Sequence, residues 1–179
     1  RGPFGGSLKK EIFVKKGFKV YEQQNAIYND MSLGDYYITA EKYNEMEDFS
    51  VKPGDFIISC SGTMGKIAIV PDGSPKGIIN QALLKVTLDN NKINQLYFKF
   101  FFESESIQNH LFRISHGSGI SNFPPMSQIR ELQIPLPPNP LQQKFSSIVK
   151  EVESMKEQQK HSKEQIDKLF NALMQKAFK

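Results

Sequence analysis

The sequence contains one cysteine, Cys60, among 179 residues, so it can form no intramolecular disulfide, and a reducing, cytoplasmic setting is expected. No apolar run approaches the ~20 residues that a membrane-spanning helix needs. The nearest approach, Tyr97 to Phe102, is interrupted by Lys99. The histidines His110, His116 and His161 have no cysteine or acidic residue at ligand spacing, which argues against a metal site. Arg1-Gly2-Pro3 does not begin a signal peptide and reads as a cut end. The most informative absence lies at the other end, where no glycine or proline follows Pro140.

In that uninterrupted stretch Leu141, Phe145, Ile148, Val152 and Met155 are spaced alternately four and three apart, and the rhythm resumes at Ile166, Leu169 and Leu173. This period keeps one stripe of a helix facing a partner helix. Continued through the gap, it lands on Gln159 and Ser162, so the stripe is polar at its middle. At 1.5 Å per residue the helix would be roughly 60 Å long, far beyond the three or four turns of an average globular helix. It must pack against something outside itself. Asn139 as N-cap and Pro140 at the first helical position suit its start. The chain therefore divides into a globular domain, residues 1–138, and a long spacer or dimerisation helix, residues 139–179.

Hydrophobic residues make up 39% and charged residues 23%, ordinary values for a soluble domain. The net charge is +4. Eight lysines and five carboxylates give the helix +3, while fifteen basic and fourteen acidic residues leave +1 on residues 1–139. This balance permits a nucleic-acid partner without demanding one.

The globular part reads as α+β, with several short strands and a few helices. Phe18-Lys19-Val20-Tyr21 alternates as a strand, and Tyr36-Tyr37-Ile38 is a second. Thr39 is placed to cap a short helix reaching Met46. Lys52-Pro53-Gly54-Asp55 suits a type II turn. Phe56 to Cys60 and Ile67 to Val70 are strands around the tight loop Ser61 to Lys66. Ile78 to Leu88 reads as one further strand that carries Asn80 and Gln81, for which structural hydrogen bonding is expected. Asn94 or a neighbour caps a helix from about Gln95 to Phe102 that continues through Phe112. Consecutive aromatics at Tyr97, Phe98, Phe100, Phe101 and Phe102 point all round such a helix and favour burial over base stacking. His116 to Asn122 is a polar, glycine-loosened loop, Ser127 caps a helical turn at Gln128 to Glu131, Leu132-Gln133-Ile134 is a last strand, and Pro135 to Pro138 stiffens the exit.

Several motifs invite enzymatic readings that fail on inspection. Ser61-Gly62-Thr63-Met64-Gly65-Lys66 has two residues between its glycines and Ile67 after the lysine, whereas a phosphate-binding P-loop has four and then Ser or Thr. Its Gly-Thr-Met-Gly is formally a GXXG backbone clamp, but strands rather than helices flank it, so a hairpin turn is the better reading. Asn122-Phe123-Pro124-Pro125 resembles an amino-methyltransferase signature but has an intervening Phe and no glycine-rich cofactor strand before it. Asp55 and Asp72 suit turns, and no nucleophile is assembled with a base. The chain reads as non-catalytic.

Three stretches together resemble the specificity (S) subunits of type I restriction-modification systems. They are Phe4 to Lys10 with Val20 to Tyr28; Pro53 to Ser59 with Ser61 to Lys66 and Asn80-Gln81-Ala82; and Leu132 to Lys144 with Leu173 to Phe178. The last is the most distinctive, a proline-rich exit into a long helix begun by Leu141-Gln142-Gln143. Such subunits usually carry two target-recognition domains and two long helices, so this chain corresponds to a half-length subunit or to one half of a longer protein.

The resemblance implies a sequence-specific DNA-recognition subunit that reads one half of a split target and positions methyltransferase (M) and restriction endonuclease (R) subunits. It implies no chemistry and no cofactor in this chain; S-adenosylmethionine and ATP/Mg belong on the partners. The rival reading is a coiled-coil adaptor whose globular domain binds protein. Base-reading candidates are Tyr21, Gln23, Gln24, Asn25 and Tyr28 in one cluster, Ser61, Thr63 and Lys66 in a second, and His116, Ser118, Ser121 and Asn122 in a third. Lys9, Lys10 and Arg113 are phosphate candidates.

Leu141, Phe145, Ile148, Val152, Met155, Gln159, Ser162, Ile166, Leu169 and Leu173 are the helix-pairing set. Gln159 lies midway between Leu141 and Ala177, so in an antiparallel homodimer, or in a pair with a second S half, it faces its counterpart. The polar centre then either sets the register or is simply solvated.

Overall fold

A computed structural model describes residues 1–3, 5–115 and 123–178 and divides them into two compact units, Arg1–Leu136 and Pro137–Lys179. The first unit is built on two small sheets. After 3-10 turns at Gly5–Leu8 and Lys10–Ile12 come strand β1 (Phe18–Tyr21), helix α1 (Gln23–Ile27), strand β2 (Tyr37–Ile38) and helix α2 (Ala40–Glu45). Thr39 caps α2, its hydroxyl accepting from the Lys42 amide at 3.3 Å. Strand β3 (Ser50–Val51) follows, and then a type II turn closed by the Asp55 amide on Lys52 O at 3.0 Å. Gly54 takes the left-handed conformation that this turn requires, with φ +88°. Asp55 is nearly buried and doubly used, accepting from the Lys52 amide at 2.9 Å and the Thr87 hydroxyl at 2.6 Å.

Strands β4 (Phe56–Ser59), β5 (Ile67–Ile69), β6 (Gly77–Ile79) and β7 (Leu83–Val86) complete the sheets. The first has the order β2-β1-β6-β3 and the second β5-β4-β7. Only the β1–β6 pair is parallel, with Val20 opposite Ile78; the other named pairs are antiparallel. The β4–β5 pair is a hairpin in which Ile57 faces Ala68, as its flanking apolar runs predict.

Helices α3 (Gln95–Glu103), α4 (Glu105–Ser115) and α5 (Met126–Arg130) follow. The Asn94 side chain caps α3 by accepting from the Leu96 and Tyr97 amides at 2.9 and 3.2 Å. Phe98 and Phe102 are buried in the main core with Phe56, Ile58, Leu84, Leu111 and Phe123, so the aromatic run serves packing. A second core joins Tyr21 and Ala26 to Ile57, Ala68 and Ile79, and a third lies around Val20, Ile38, Met46 and Ile78.

Five local readings need correction. Ile78 to Leu88 is not one strand: the Asn80 side chain accepts from the Ala82 amide at 3.0 Å, and this Asx turn sends the chain from one sheet into the other. The helix after Asn94 does not run unbroken to Phe112, because Ser104 is extended and its hydroxyl donates to Phe101 O at 2.7 Å, a local bond that competes with helix continuation. Ser127 is not a cap, since α5 already begins at Met126 after Pro125. Leu132-Gln133-Ile134 joins no sheet; Leu132 packs on the core instead. The second unit is helix α6 (Asn139–Ala177), whose N-cap is Pro138 rather than Asn139. Its first turn carries Pro140, and the Gln142 side chain secures the entry by donating to Pro137 O at 2.8 Å.

Candidate nucleic-acid interface

The first cluster divides according to burial. Tyr21, offered as a base reader, is fully buried, and its hydroxyl donates to Pro75 O. Desolvation pushes its pKa up to about 12. Asn25 is also fully buried. Its oxygen accepts from the Glu22 amide at 2.7 Å, and its nitrogen donates to Asp30 O and Leu33 O at 2.8 Å each. An amide so occupied ties α1 to the following loop and has nothing left for a base. Tyr21 and Asn25 are therefore scaffold, a correction to their reading as DNA contacts.

Gln24 is half-buried and donates to the Glu22 carboxylate at 2.9 Å. Tyr28, at the end of α1, is 71% exposed and presents its ring to solvent. Gln23 reaches across the fold: its oxygen accepts from the Ser61 amide at 3.0 Å, bringing two of the candidate clusters together.

The second cluster occupies the β4–β5 loop. Ser61 is half-buried, whereas Thr63 and Lys66 are exposed. The Ser59 hydroxyl stitches the loop internally, donating to Thr63 O at 2.6 Å and accepting from the Lys66 amide at 3.0 Å. From α4, the Gln108 side chain donates to Phe102 O at 2.7 Å and reaches Gly65 O at 3.4 Å. The chain also returns to this place at Phe123, whose amide donates to Cys60 O at 2.8 Å.

His116, Ser118, Ser121 and Asn122, the third cluster, lie outside the described residues. The phosphate candidates Lys9, Lys10 and Arg113 are all exposed, Arg113 in the last turn of α4. Among the described residues no three of His, Cys, Asp and Glu stand together as a metal-binding group.

Lys19 was missed by the sequence reading. It is 1% exposed, and its ammonium donates to Gly34 O at 2.8 Å and Ser32 O at 3.2 Å, 5.5 Å from the centre of the Tyr37 ring. Burial lowers its pKa, partly opposed by the carboxylates of Asp35, Glu22 and Asp30. Lys19 and Asn25 together fix four carbonyls of the segment 30–34. Alternation in β1 puts Lys19 on the face opposite Phe18 and Val20, and nothing in the sequence marked two free carbonyls waiting there.

On α6, the apolar members of the pairing set are all exposed, from Phe145 at 37% to Ile166 at 66%. Gln159 and Ser162 are exposed too. Phe170 and Met174, which the strict heptad omits, add 59% and 41% exposed apolar side chains beside Leu169 and Leu173. The apolar face therefore widens towards the C-terminus.

Residues 4–168 match the family model described as Type I restriction modification DNA specificity domain. No curated protein matches the chain. Among solved structures, a similar chain comes from work described as the structural basis underlying complex assembly and conformational transition of the type I R-M system. The two are 22% identical, with a TM-score of 0.49 over 61% of this chain. The match spans 27% of that other chain.

Proposed function

The chain belongs to the type I restriction-modification DNA specificity domain family, and from that membership we propose that it recognises one half of a split DNA target. The single observation that carries this reading is the family match, which runs through the globular unit and most of α6. The exposed groups of α1 and the β4–β5 loop support it, because a hydrogen bond between Gln23 and Ser61 places them side by side on one domain. Residues 1–138 form the target-recognition domain and residues 139–179 the spacer.

The chain performs no chemistry of its own in this proposal. It recruits methyltransferase subunits, which bind S-adenosylmethionine, and restriction subunits, which use ATP and Mg²⁺. The work is done in the cytoplasm, where the host DNA lies. No described helix is long and apolar enough to cross a membrane.

The exposed stripe of α6 supports pairing with a second copy or with another S half. In an antiparallel pair the two recognition domains lie at opposite ends of a rod. A helix of roughly 60 Å spans at most about 17 base pairs at 3.4 Å each. Two identical domains related by a two-fold axis would read an inverted repeat with a fixed gap.

Binding of mixed-sequence duplex DNA by the purified chain, alone and with methyltransferase subunits, tests the reading. Affinity that falls steeply with salt and favours one sequence is expected. Binding indifferent to both salt and sequence would instead assign the globular domain to a protein partner.

A further inference from the structure

The β4–β5 loop is exposed at its tip yet pinned from three distant parts of the chain. Gln23 Oε1 holds the Ser61 amide at 3.0 Å, Gln108 Nε2 meets Gly65 O at 3.4 Å, and the Phe123 amide holds Cys60 O at 2.8 Å. Inside the loop the Gly65 amide donates to Ser59 O at 2.9 Å, and the Ser59 hydroxyl binds Thr63 O at 2.6 Å. A surface turn that only reverses the chain needs none of the three outer ties. Fixing a loop before it binds removes the ordering cost at the moment of binding.

The groups left over at the tip share one character. Gly62 has φ +62°, and a Cβ built there meets nothing within 4 Å among the described residues, which leaves the backbone open to a ligand. Among the described residues, the Gly62 and Thr63 amides, the Thr63 hydroxyl and the Lys66 ammonium have no hydrogen-bond partner. No carboxylate occurs between Asp55 and Asp72 to compete for these donors. Backbone amides grouped in a turn with a lysine suit an anion. The tip also has no side chain at Gly62 with which to reach a groove floor, and the outermost groups of a duplex are its phosphates.

We propose that this tip seats a phosphate of the target duplex, with Gln23 and Gln108 as positioning residues that preset it. The inference deepens the proposed DNA recognition and rests on it. Thr63 and Lys66 thereby leave the base readers and join the groups that fix register without reading sequence. Gln23 acts through Ser61 and not on a base.

The test uses the full chain with two duplexes, one carrying the target and one scrambled. Lys66→Gln should weaken both by the same factor and leave their ratio unchanged. Loss of one phosphate contact lowers the salt slope by about 0.9, so the wild-type advantage should shrink roughly threefold between 50 and 200 mM salt. Gln23→Met should also weaken both duplexes equally while speeding hydrogen exchange at the Ser61 amide. A neutral methylphosphonate at the contacted position should make wild type and Lys66→Gln bind alike.

A changed target-to-scrambled ratio with an unaltered salt slope would overturn the inference in favour of base reading. Unaltered affinity of Lys66→Gln for both duplexes would overturn it outright. Wild-type protein that binds neither duplex removes the proposed function itself, a different failure.

Discussion

Amide side chains near α1 differ in how much of their bonding capacity the fold consumes. Asn25 spends its oxygen and nitrogen on Glu22, Asp30 and Leu33, whereas Gln23 spends its oxygen on Ser61. The sequence shows Gln23, Gln24 and Asn25 as equivalent neighbours; the shorter Asn side chain bonds locally while Gln23 reaches a partner 38 residues away. That long-range bond could not be read from spacing. Tyr21 offers a titration of the same distinction. Its phenol has a raised pKa of about 12 in the folded chain, so the unfolded chain ionises first, near 10. The stability it supplies is complete below pH 10 and is lost as pH climbs towards 12. Tyr21→Phe should cost about 1 kcal/mol at neutral pH, the usual worth of one hydrogen bond, and should flatten this alkaline limb in urea melts. Cys60, raised by burial to about 11, contributes a loss of the same sign in both proteins, so the difference curve isolates Tyr21.

At the scale of elements, two helix starts governed by a single side chain were legible, whereas the caps expected at Ser127 and Asn139 were displaced by Pro125 and Pro138. Thr39 and Asn94 cap the helices that their positions predict. Asn94→Ala removes the acceptor for two amides and should cost about 1 kcal/mol, a loss that thermal unfolding monitored by circular dichroism would register. Boundaries that depend on competition between local and distant bonds were not legible. Ile78 to Leu88 has the composition of one strand, and only the Asn80 side chain folding onto the Ala82 amide shows that two sheets share it. Leu132-Gln133-Ile134 alternates like a strand but finds no edge to join. The heptad of α6 was plain, because its repeat needs no tertiary information. If the proposed antiparallel register is correct, Gln159→Cys should form a disulfide-linked dimer readily under mild oxidation. Cys60 is buried and will not compete for this crosslink. A sample shown to be dimeric that stays unlinked on non-reducing gels would exclude the register.

For the whole molecule, the sequence was enough to separate a mixed domain from a long helix but not to order the strands. The parallel β1–β6 pair joins Val20 to Ile78, a register set by packing between distant segments rather than by any turn. Target symmetry belongs to this scale as well. Mapping methylated adenines genome-wide in cells with and without the gene should reveal an inverted repeat if two copies pair. Two unlike half-sites would mean that a different recognition domain supplies the second half. The widened stripe of α6 leaves Leu169, Phe170, Leu173 and Met174 all open to water. If two copies pair through this face as proposed, the protein would be a gauge of its own abundance, since pairing follows mass action. Well above the pairing constant, each tenfold rise in concentration adds about 1.4 kcal/mol to the paired state. On the proposed pairing, translation rate would become an input to recognition: a cell that makes little of this chain would leave it single and its proposed half-sites unread, with no change in the DNA or in any contact surface.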